Sequence, residues 1–335
     1  RGSKSKRLQR RRIELMKVVI VGGVAGGASC AARLRRLDEK AEILMVERGP
    51  YVSYANCGLP YHISGVIPQE SSLLVANEQL FRVMHHIDAR TNCEAISISP
   101  KDKTVDLRNG KTGEVTTESY DKLVLSPGAP SYRPDLPGID LPGIFQVRTV
   151  PDARTIREWV EGGTSFLAGM FRYSGIQYAK PVRRAVVVGG GFIGLEMAEN
   201  LVELGFDVTL IQKPNQVLDP VDPEVARLID GHLGRHGVKL ALNDGVTGFA
   251  QLDGGAIEVQ TISGMKHPAD IVILAIGVRP DTTLAKTAGL EIGERGGIRV
   301  DDHMRTSDPD IFAVGDAIEV RDFVTGQWNL VALAG

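Results

Sequence analysis

The sequence predicts an α/β protein made of two similar halves, each built on a parallel β-sheet. Three observations carry that prediction. A buried-strand run, Val18–Val21, leads into Gly22-Gly23-Val24-Ala25-Gly26-Gly27, and the same order recurs at Ala185–Val188 with Gly189-Gly190-Gly191-Phe192-Ile193-Gly194. Each glycine cluster is followed by a helical pattern and a second strand: Ala28–Leu37 and Glu42–Glu47 in the first copy, Leu195–Leu204 and Asp207–Gln212 in the second. Each copy also has a later apolar strand that ends on a glycine, Lys122–Leu125 before Ser126-Pro127-Gly128 and Ile271–Ile276 before Gly277. A β-turn-α-β unit requires parallel strands, because only a crossover returns the chain to the same edge.

The second glycine cluster satisfies GxGxxG between a strand and a helix. Gly189 permits the tight turn, Gly191 lets a pyrophosphate approach the backbone, and Gly194 packs helix against strand. The helix N-terminus then faces the phosphate charge. The acid that usually ends the second strand is absent: Gln212 stands there, followed by Lys213. A carboxylate would bind the ribose 2′-OH and repel a 2′-phosphate, so this site admits NADH and NADPH alike. Lys213 is open to two readings, a phosphate partner or a solvated loop charge.

In the first cluster Gly22 and Gly27 take the outer positions, Val24 stands at the middle one, and Ala25 follows it in the turn. Glu47 lies 20 residues after Gly27 and suits an adenosine ribose. Two such sites point to two dinucleotides, one of them a tightly held flavin. The fold class is therefore two Rossmann-like dinucleotide-binding domains.

The remaining segments are placed around these units. Thr104–Leu107, Asn109-Gly110 and Glu114–Thr117 read as a hairpin, and Ile257–Ile262 with Gly254-Gly255 reads similarly. Pro127–Pro142 reads as a linker or crossover, and Gly162–Pro181 as an extended connection. A strand over Ile311–Val314 ends at Gly315-Asp316. These signals divide the chain into a basic leader (1–15), a flavin domain (16–150 and 281–335) and a nicotinamide dinucleotide domain (151–280).

Composition narrows the function classes. The chain has 335 residues, 43% hydrophobic and 24% charged, which is ordinary for a soluble protein with real cores. Residues 1–15 hold seven bases and one acid; the rest has 32 bases against 40 acids, a net of −8. A mildly acidic body indicates no nucleic-acid surface, and the basic leader reads as a disordered extension or, as the alternative, a nucleic-acid or membrane arm. The glycines that break the run after Val21 exclude a secretion signal, and no stretch approaches a membrane span. Three cysteines, Cys30, Cys57 and Cys93, fit a reducing cytoplasm and lack metal-ligand spacing.

Cys57 lies ten residues past Glu47, in Ser53-Tyr54-Ala55-Asn56-Cys57-Gly58-Leu59-Pro60-Tyr61-His62. Pro60 is tolerated in a first helical turn, so a helix is expected to begin near Asn56–Leu59. Backbone N–H groups there favour a thiolate. Cys30 and Cys93 read as inert core cysteines. Arg33 and Arg36 lie three apart on the first helix, on one face, where two guanidiniums suit phosphate groups or simply face solvent.

Six segments together, GGVAGGASCAARLRRLDE, SYANCGLPYHISG, LSPGA, VVVGGGFIGLEMAENL, AIGVRP and TSDPDIFAVGDA, resemble the flavin-dependent pyridine nucleotide-disulfide oxidoreductases. The likeness runs from about Met16 to Gly335. Asn-Cys-Gly-Leu-Pro-Tyr and the GGVAGG variant resemble the single-cysteine branch of coenzyme A-disulfide and persulfide reductases, some of them fused to a rhodanese domain. The resemblance implies FAD at Gly22, Val24, Ala25, Gly27, Glu47, Ser126, Gly128, Gly315 and Asp316. It implies NADH or NADPH at Gly189, Gly191, Phe192, Ile193, Gly194, Glu196, Gln212, Lys213 and Gly277, with Phe192 covering the flavin. It implies Cys57 as the redox-active nucleophile and a coenzyme A approach lined by Ser29, Arg33, Arg36, Ser53 and Asn56. His62 takes roughly the place of the second cysteine of two-cysteine relatives and reads as a proton donor or as structural. The family's homodimerising C-terminal interface domain is expected to be missing from this chain. The alternatives are an NADH oxidase or peroxidase cycling through a cysteine sulfenic acid, and a non-catalytic flavin module.

Overall fold

Short runs of valine, isoleucine and leucine form the centre of each half of the protein. The computed structural model describes residues 15–162 and 183–331. The leader up to residue 14 and residues 163–181 of the predicted connection lie outside the described residues. The chain divides into two units, residues 1–53, 76–128 and 281–335 in the first, 54–75 and 129–280 in the second. Residues 54–75 and 129–150, which patterning grouped with the first glycine cluster, thus cluster with the second unit.

The first unit has a five-stranded sheet, all parallel, in the order Ile311–Ala313, Lys122–Leu125, Lys17–Val21, Glu42–Val46, Asp88–Arg90. Side chains alternate across a strand. Val18 and Ile20 therefore pack with Ile43, Met45 and Val124 against Ala28 and Ala31 of the Ala25–Leu37 helix. Val19 and Val21 face the other way, with Leu44, Leu123 and Leu125, onto Ala95, Ile98, Val105 and Leu107. Burial on both faces is why these strands read as unbroken apolar runs rather than alternating ones.

That second layer is a three-stranded antiparallel sheet, Cys93–Ser99, Thr104–Asn109 and Val115–Ser119. The predicted hairpin is its last two strands. Cys93–Ser99 escaped prediction because the register shifts between Ala95 and Ser97, so its alternation is broken.

The second unit repeats the plan. Its parallel sheet has the order Lys239–Leu242, Asp207–Gln212, Arg184–Val188, Ile271–Leu274, Ile144–Phe145. The Phe192–Glu203 helix buries Gly194, Met197, Ala198 and Leu201. Val246–Gln251, Ile257–Thr261 and Lys266–Ala269 form its antiparallel layer.

The repeat holds down to single hydrogen bonds. Gly22 N–H donates to the Val46 carbonyl and Gly189 N–H to that of Ile211, both at 2.8 Å. Ser53 and Leu218 donate to the carbonyls of Gly23 and Gly190, again at 2.8 Å, and both have φ of 46°. Asp121 and Asp270 accept the backbone N–H groups of Lys17 and Arg184, the first residues of the two central strands. Both helices start about three residues earlier than expected, at Ala25 and Phe192, because the last glycine of each fingerprint, Gly27 and Gly194, belongs to the helix rather than to the turn before it.

Gly22 and Gly189 sit in the left-handed region, at φ of 98° and 107°. A Cβ on Gly22 would lie 2.0 Å from the Ser126 carbonyl oxygen, and one on Gly189 would lie 2.3 Å from that of Ala275. Backbone cannot swing aside as a side chain can. Gly22→Ala is expected to destabilise the protein by about 2–5 kcal/mol, combining backbone strain with overpacking. Urea denaturation measures this, and a loss below about 1 kcal/mol would contradict the geometry.

Candidate dinucleotide cradles and the cysteine turn

In the first unit the strand Lys17–Val21 delivers the chain to a turn that only small residues can make. A Cβ on Gly27 would lie 1.8 Å from the Gly22 carbonyl oxygen, so the helix presses directly on the turn. Val24 is the N-cap and its side chain makes no capping bond. The first N–H groups of Ala25–Leu37 thus lack a side-chain acceptor, the arrangement that receives a phosphate.

Glu47 closes one side of this cradle. Its Oε2 accepts from Gly23 N–H and its Oε1 from Gly49 N–H, each at 2.8 Å. Ser126, Gly26 and Gly315 converge on the other side: a Cβ on Gly26 would lie 2.6 Å from Ser126 Oγ and 3.7 Å from Gly315 Cα. Gly128 has φ of 73°, and Asp316 follows Gly315 in a 3₁₀ turn, Gly315–Ala317. The structure therefore brings Gly22, Val24, Ala25, Gly27, Glu47, Ser126, Gly128, Gly315 and Asp316 to one end of one sheet.

The second cradle is built the same way. Gly191 is the N-cap of Phe192–Glu203, again without a side-chain cap, and a Cβ there would meet nothing within 4 Å. Phe192 is 63% exposed, although burial is the rule for so large an apolar side chain, and Ile193 is exposed beside it. Gly194 presses on the turn, 1.9 Å from the Gly189 oxygen to an added Cβ. Gln212 occupies the place of Glu47 and accepts from Gly190 N–H at 2.8 Å. Lys213 is exposed, and Gly277 has φ of 101° with open space around it.

Glu196 lies on this helix, and its carboxyl is raised above its ordinary value by burial and by the neighbouring Glu199.

Cys57 sits in a 3₁₀ turn, Asn56–Gly58, that runs straight into the Leu59–Ile63 helix, with Pro60 in its first turn. It is the chain's one exposed thiol. Cys30 and Cys93 are partly buried, and burial pushes both thiols up, which keeps them protonated. Asn56 Oδ1 is buried and has no partner among the described residues.

The helix after Cys57 is fastened within its own unit. Tyr61 donates its hydroxyl hydrogen bond to Glu199 Oε1 at 2.9 Å, and Ser64 donates to Asn200 Oδ1. Both acceptors belong to the Phe192–Glu203 helix. The Glu199 bond, then burial and the charges of Glu199, Glu196 and Cys57, raise the Tyr61 phenol. His62 is buried; its Nδ1 lies 2.8 Å from the Ile67 carbonyl and so donates to it. Arg157 donates to the carbonyls of His62 and Pro68. This is the setting of a structural histidine rather than a proton donor.

Ser29, Arg33 and Arg36 are exposed on the first-unit helix, and neither arginine pairs with an acid among the described residues. Arg35 differs, for its guanidinium is spent on the carbonyls of Asp38, Glu39, His85 and His86. Ser53 lies with them in the first unit, while Asn56 lies with Cys57 in the second. Among the described residues no three His, Cys, Asp or Glu side chains could hold a metal, and no helix is long and apolar enough to cross a membrane.

The family model for pyridine nucleotide-disulphide oxidoreductases matches residues 16–334. The chain belongs to that family. An NADH oxidase of Methanocaldococcus jannaschii is 32% identical over 94% of this family member and 66% of its own length. A coenzyme A disulfide reductase of Staphylococcus haemolyticus is 32% identical over 91% of the chain and 63% of its own length. The solved structure of reduced Bacillus anthracis CoADR-RHD is similar at a TM-score of 0.87 and 45% identity, covering 96% of this family member and 54% of that chain. The chain thus spans a little over half to two thirds of the length of these three relatives.

Sequence reasoning missed Tyr61 and Glu199, which are far apart in the chain and meet only in the fold. Tyr61→Phe is expected to cost about 0.5–1.5 kcal/mol, the net worth of one hydrogen bond, and an unchanged urea midpoint would show that the latch carries no load. Glu196 gives a signed pH effect. Its folded value is raised, so the charged form costs stability in full above that value, and the cost fades as pH falls from it to below the ordinary carboxylate value. Glu196→Gln should therefore be more stable than the parent at pH 7, and thermal melts should converge as the pH is lowered through the carboxyl range.

Proposed function

We propose that this chain carries the FAD and NAD(P)H units of a flavoprotein that reduces coenzyme A disulfide, or coenzyme A persulfide and polysulfide, through a single cysteine. The observation that carries the reading is Cys57, one exposed thiol on a turn, in a chain with two dinucleotide cradles. The first cradle fits FAD. Its uncapped helix end suits the pyrophosphate, Glu47 an adenosine ribose, and Ser126, Gly128, Gly315 and Asp316 the remainder. The second cradle suits NAD(P)H through Gly189, Gly191, Phe192, Ile193, Gly194, Glu196, Gln212, Lys213 and Gly277. The first cradle's residues would hold FAD, which when bound would supply two-electron transfer from NAD(P)H to sulfur, so that the mixed disulfide on Cys57 would be cleaved to the Cys57 thiolate and a second coenzyme A thiolate.

The chain's own residues do the rest. Cys57 thiolate attacks one sulfur of the substrate disulfide; the S–S bond breaks as the new one forms, and a coenzyme A thiolate leaves. With no second protein cysteine at the turn, the substrate thiol is the other half of the couple. Arg33 and Arg36, exposed on one helix face, suit the phosphates of coenzyme A, with Ser29, Ser53 and Asn56 as polar partners. The unpartnered Asn56 Oδ1 supports such a role, because a buried acceptor without a donor is costly. The intact protein works as a homodimer in the cytoplasm, as the family likeness and the unpaired cysteines imply.

An NADH oxidase reading is favoured by the relative of that name. There Cys57 would cycle through a sulfenic acid. The two exposed arginines favour the coenzyme A reading.

Cys57→Ser in the intact protein should keep bound flavin, read by its visible absorbance, and lose NAD(P)H-dependent reduction of coenzyme A disulfide down to background. Unchanged turnover would remove Cys57 from the mechanism. Turnover of the parent with oxygen or peroxide alone would transfer the function to the oxidase reading.

A further inference from the structure

The two units allow a comparison within one molecule. At the end of the second strand of each sheet, a side chain accepts from the second glycine of the turn: Gly23 N–H to Glu47 Oε2, and Gly190 N–H to Gln212 Oε1, both at 2.8 Å. Glu47 and Gln212 are therefore the same structural position, where an adenosine ribose is held. Their chemistry differs. Glu47 presents an anion with lone pairs left for ribose hydroxyls. Gln212 has one acceptor oxygen, already engaged, and its Nε2 donates to the Gln216 carbonyl at 3.3 Å. The side chain is 9% exposed, so it is committed to the fold.

We infer that the second cradle selects NADPH over NADH, through the charge of Lys213 and the absence of charge at Gln212. The inference rests on reading this cradle as the NAD(P)H site and names its coenzyme. Without a carboxylate at position 212, that side chain does not repel a 2′-phosphate and has lost the usual grip on a free 2′-OH. The next residue, Lys213, is exposed, its stem lies along Gly245, and it pairs with no acid among the described residues. An ammonium there meets a phosphate dianion with a charge-assisted hydrogen bond. The neighbouring acid, Asp244, does not compete. It is buried, and its oxygens accept from Gly245 N–H, Ser263 N–H and Ser263 Oγ.

The test uses fragments that lack the nicotinamide, so turnover does not enter. Binding of 2′,5′-ADP and of 5′-AMP to the full chain is measured by calorimetry. The parent should bind 2′,5′-ADP about tenfold more tightly or better, as one charge-assisted contact allows. Lys213→Ala should remove most of that ratio. Gln212→Glu keeps the bond to Gly190 and should invert the ratio toward 5′-AMP. Equal affinities in the parent, or a ratio unmoved by Lys213→Ala, overturn the inference while leaving the coenzyme site in place. Failure of both fragments to bind overturns the site itself. Lys213 is exposed, so its variant tests the idea even where Gln212→Glu does not fold.

Discussion

Everything in this protein that can hold a dinucleotide hangs on one steric constraint, the contact of a turning backbone with a neighbouring strand. At Gly22 and Gly189 the chain leaves a buried strand with positive φ, and the carbonyls of Ser126 and Ala275 occupy the space a side chain would need. The turn can be so tight only because nothing projects from it. Its tightness aims the following helix, and the helix end then offers unbonded N–H groups at a fixed place beside the strand tips. The carboxylate of Glu47 and the amide of Gln212 brace the turn from below through the N–H of Gly23 and Gly190. Both cradles are consequences of that geometry rather than of particular ligand-binding side chains.

This explains which parts were legible in the sequence. Glycines that cannot be replaced leave a local signature, and doubly buried strands leave apolar runs, so both sheets, both cradles and the family could be read from short windows. Val24 at the middle fingerprint position did no harm, since it is an N-cap whose backbone matters more than its side chain. Cys93–Ser99 was hidden by its bulge, and the helix starts by fingerprint glycines, Gly27 and Gly194, that lie inside the helices.

The seating of the cysteine segment was illegible for another reason. Tyr61 and Glu199 are 138 positions apart, and no periodicity links them. Patterning put Cys57 with the nearest fingerprint because it is close in sequence. The fold ties it instead to residues 199 and 200 through Tyr61 and Ser64. His62 shows the same limit in reverse: a histidine near a reactive thiol invites a chemical role, yet its burial and its bond to Ile67 fix one tautomer for packing.

The division of the chain carries a consequence for modularity. Residues 54–75 cluster with a unit whose remaining residues begin only at 129, and the first unit resumes at 76 and again at 281. Neither unit is a contiguous stretch of polypeptide. A gene cut at any single point therefore cannot yield both units whole. A fragment that kept the first fingerprint and the cysteine but ended just before residue 199 would keep the Arg157 bonds to His62 and Pro68 yet lose the Tyr61 and Ser64 bonds to residues 199 and 200. The reactive group and its scaffold are inherited together or not at all, which makes this architecture a poor donor of interchangeable parts even though its two halves are built to one plan.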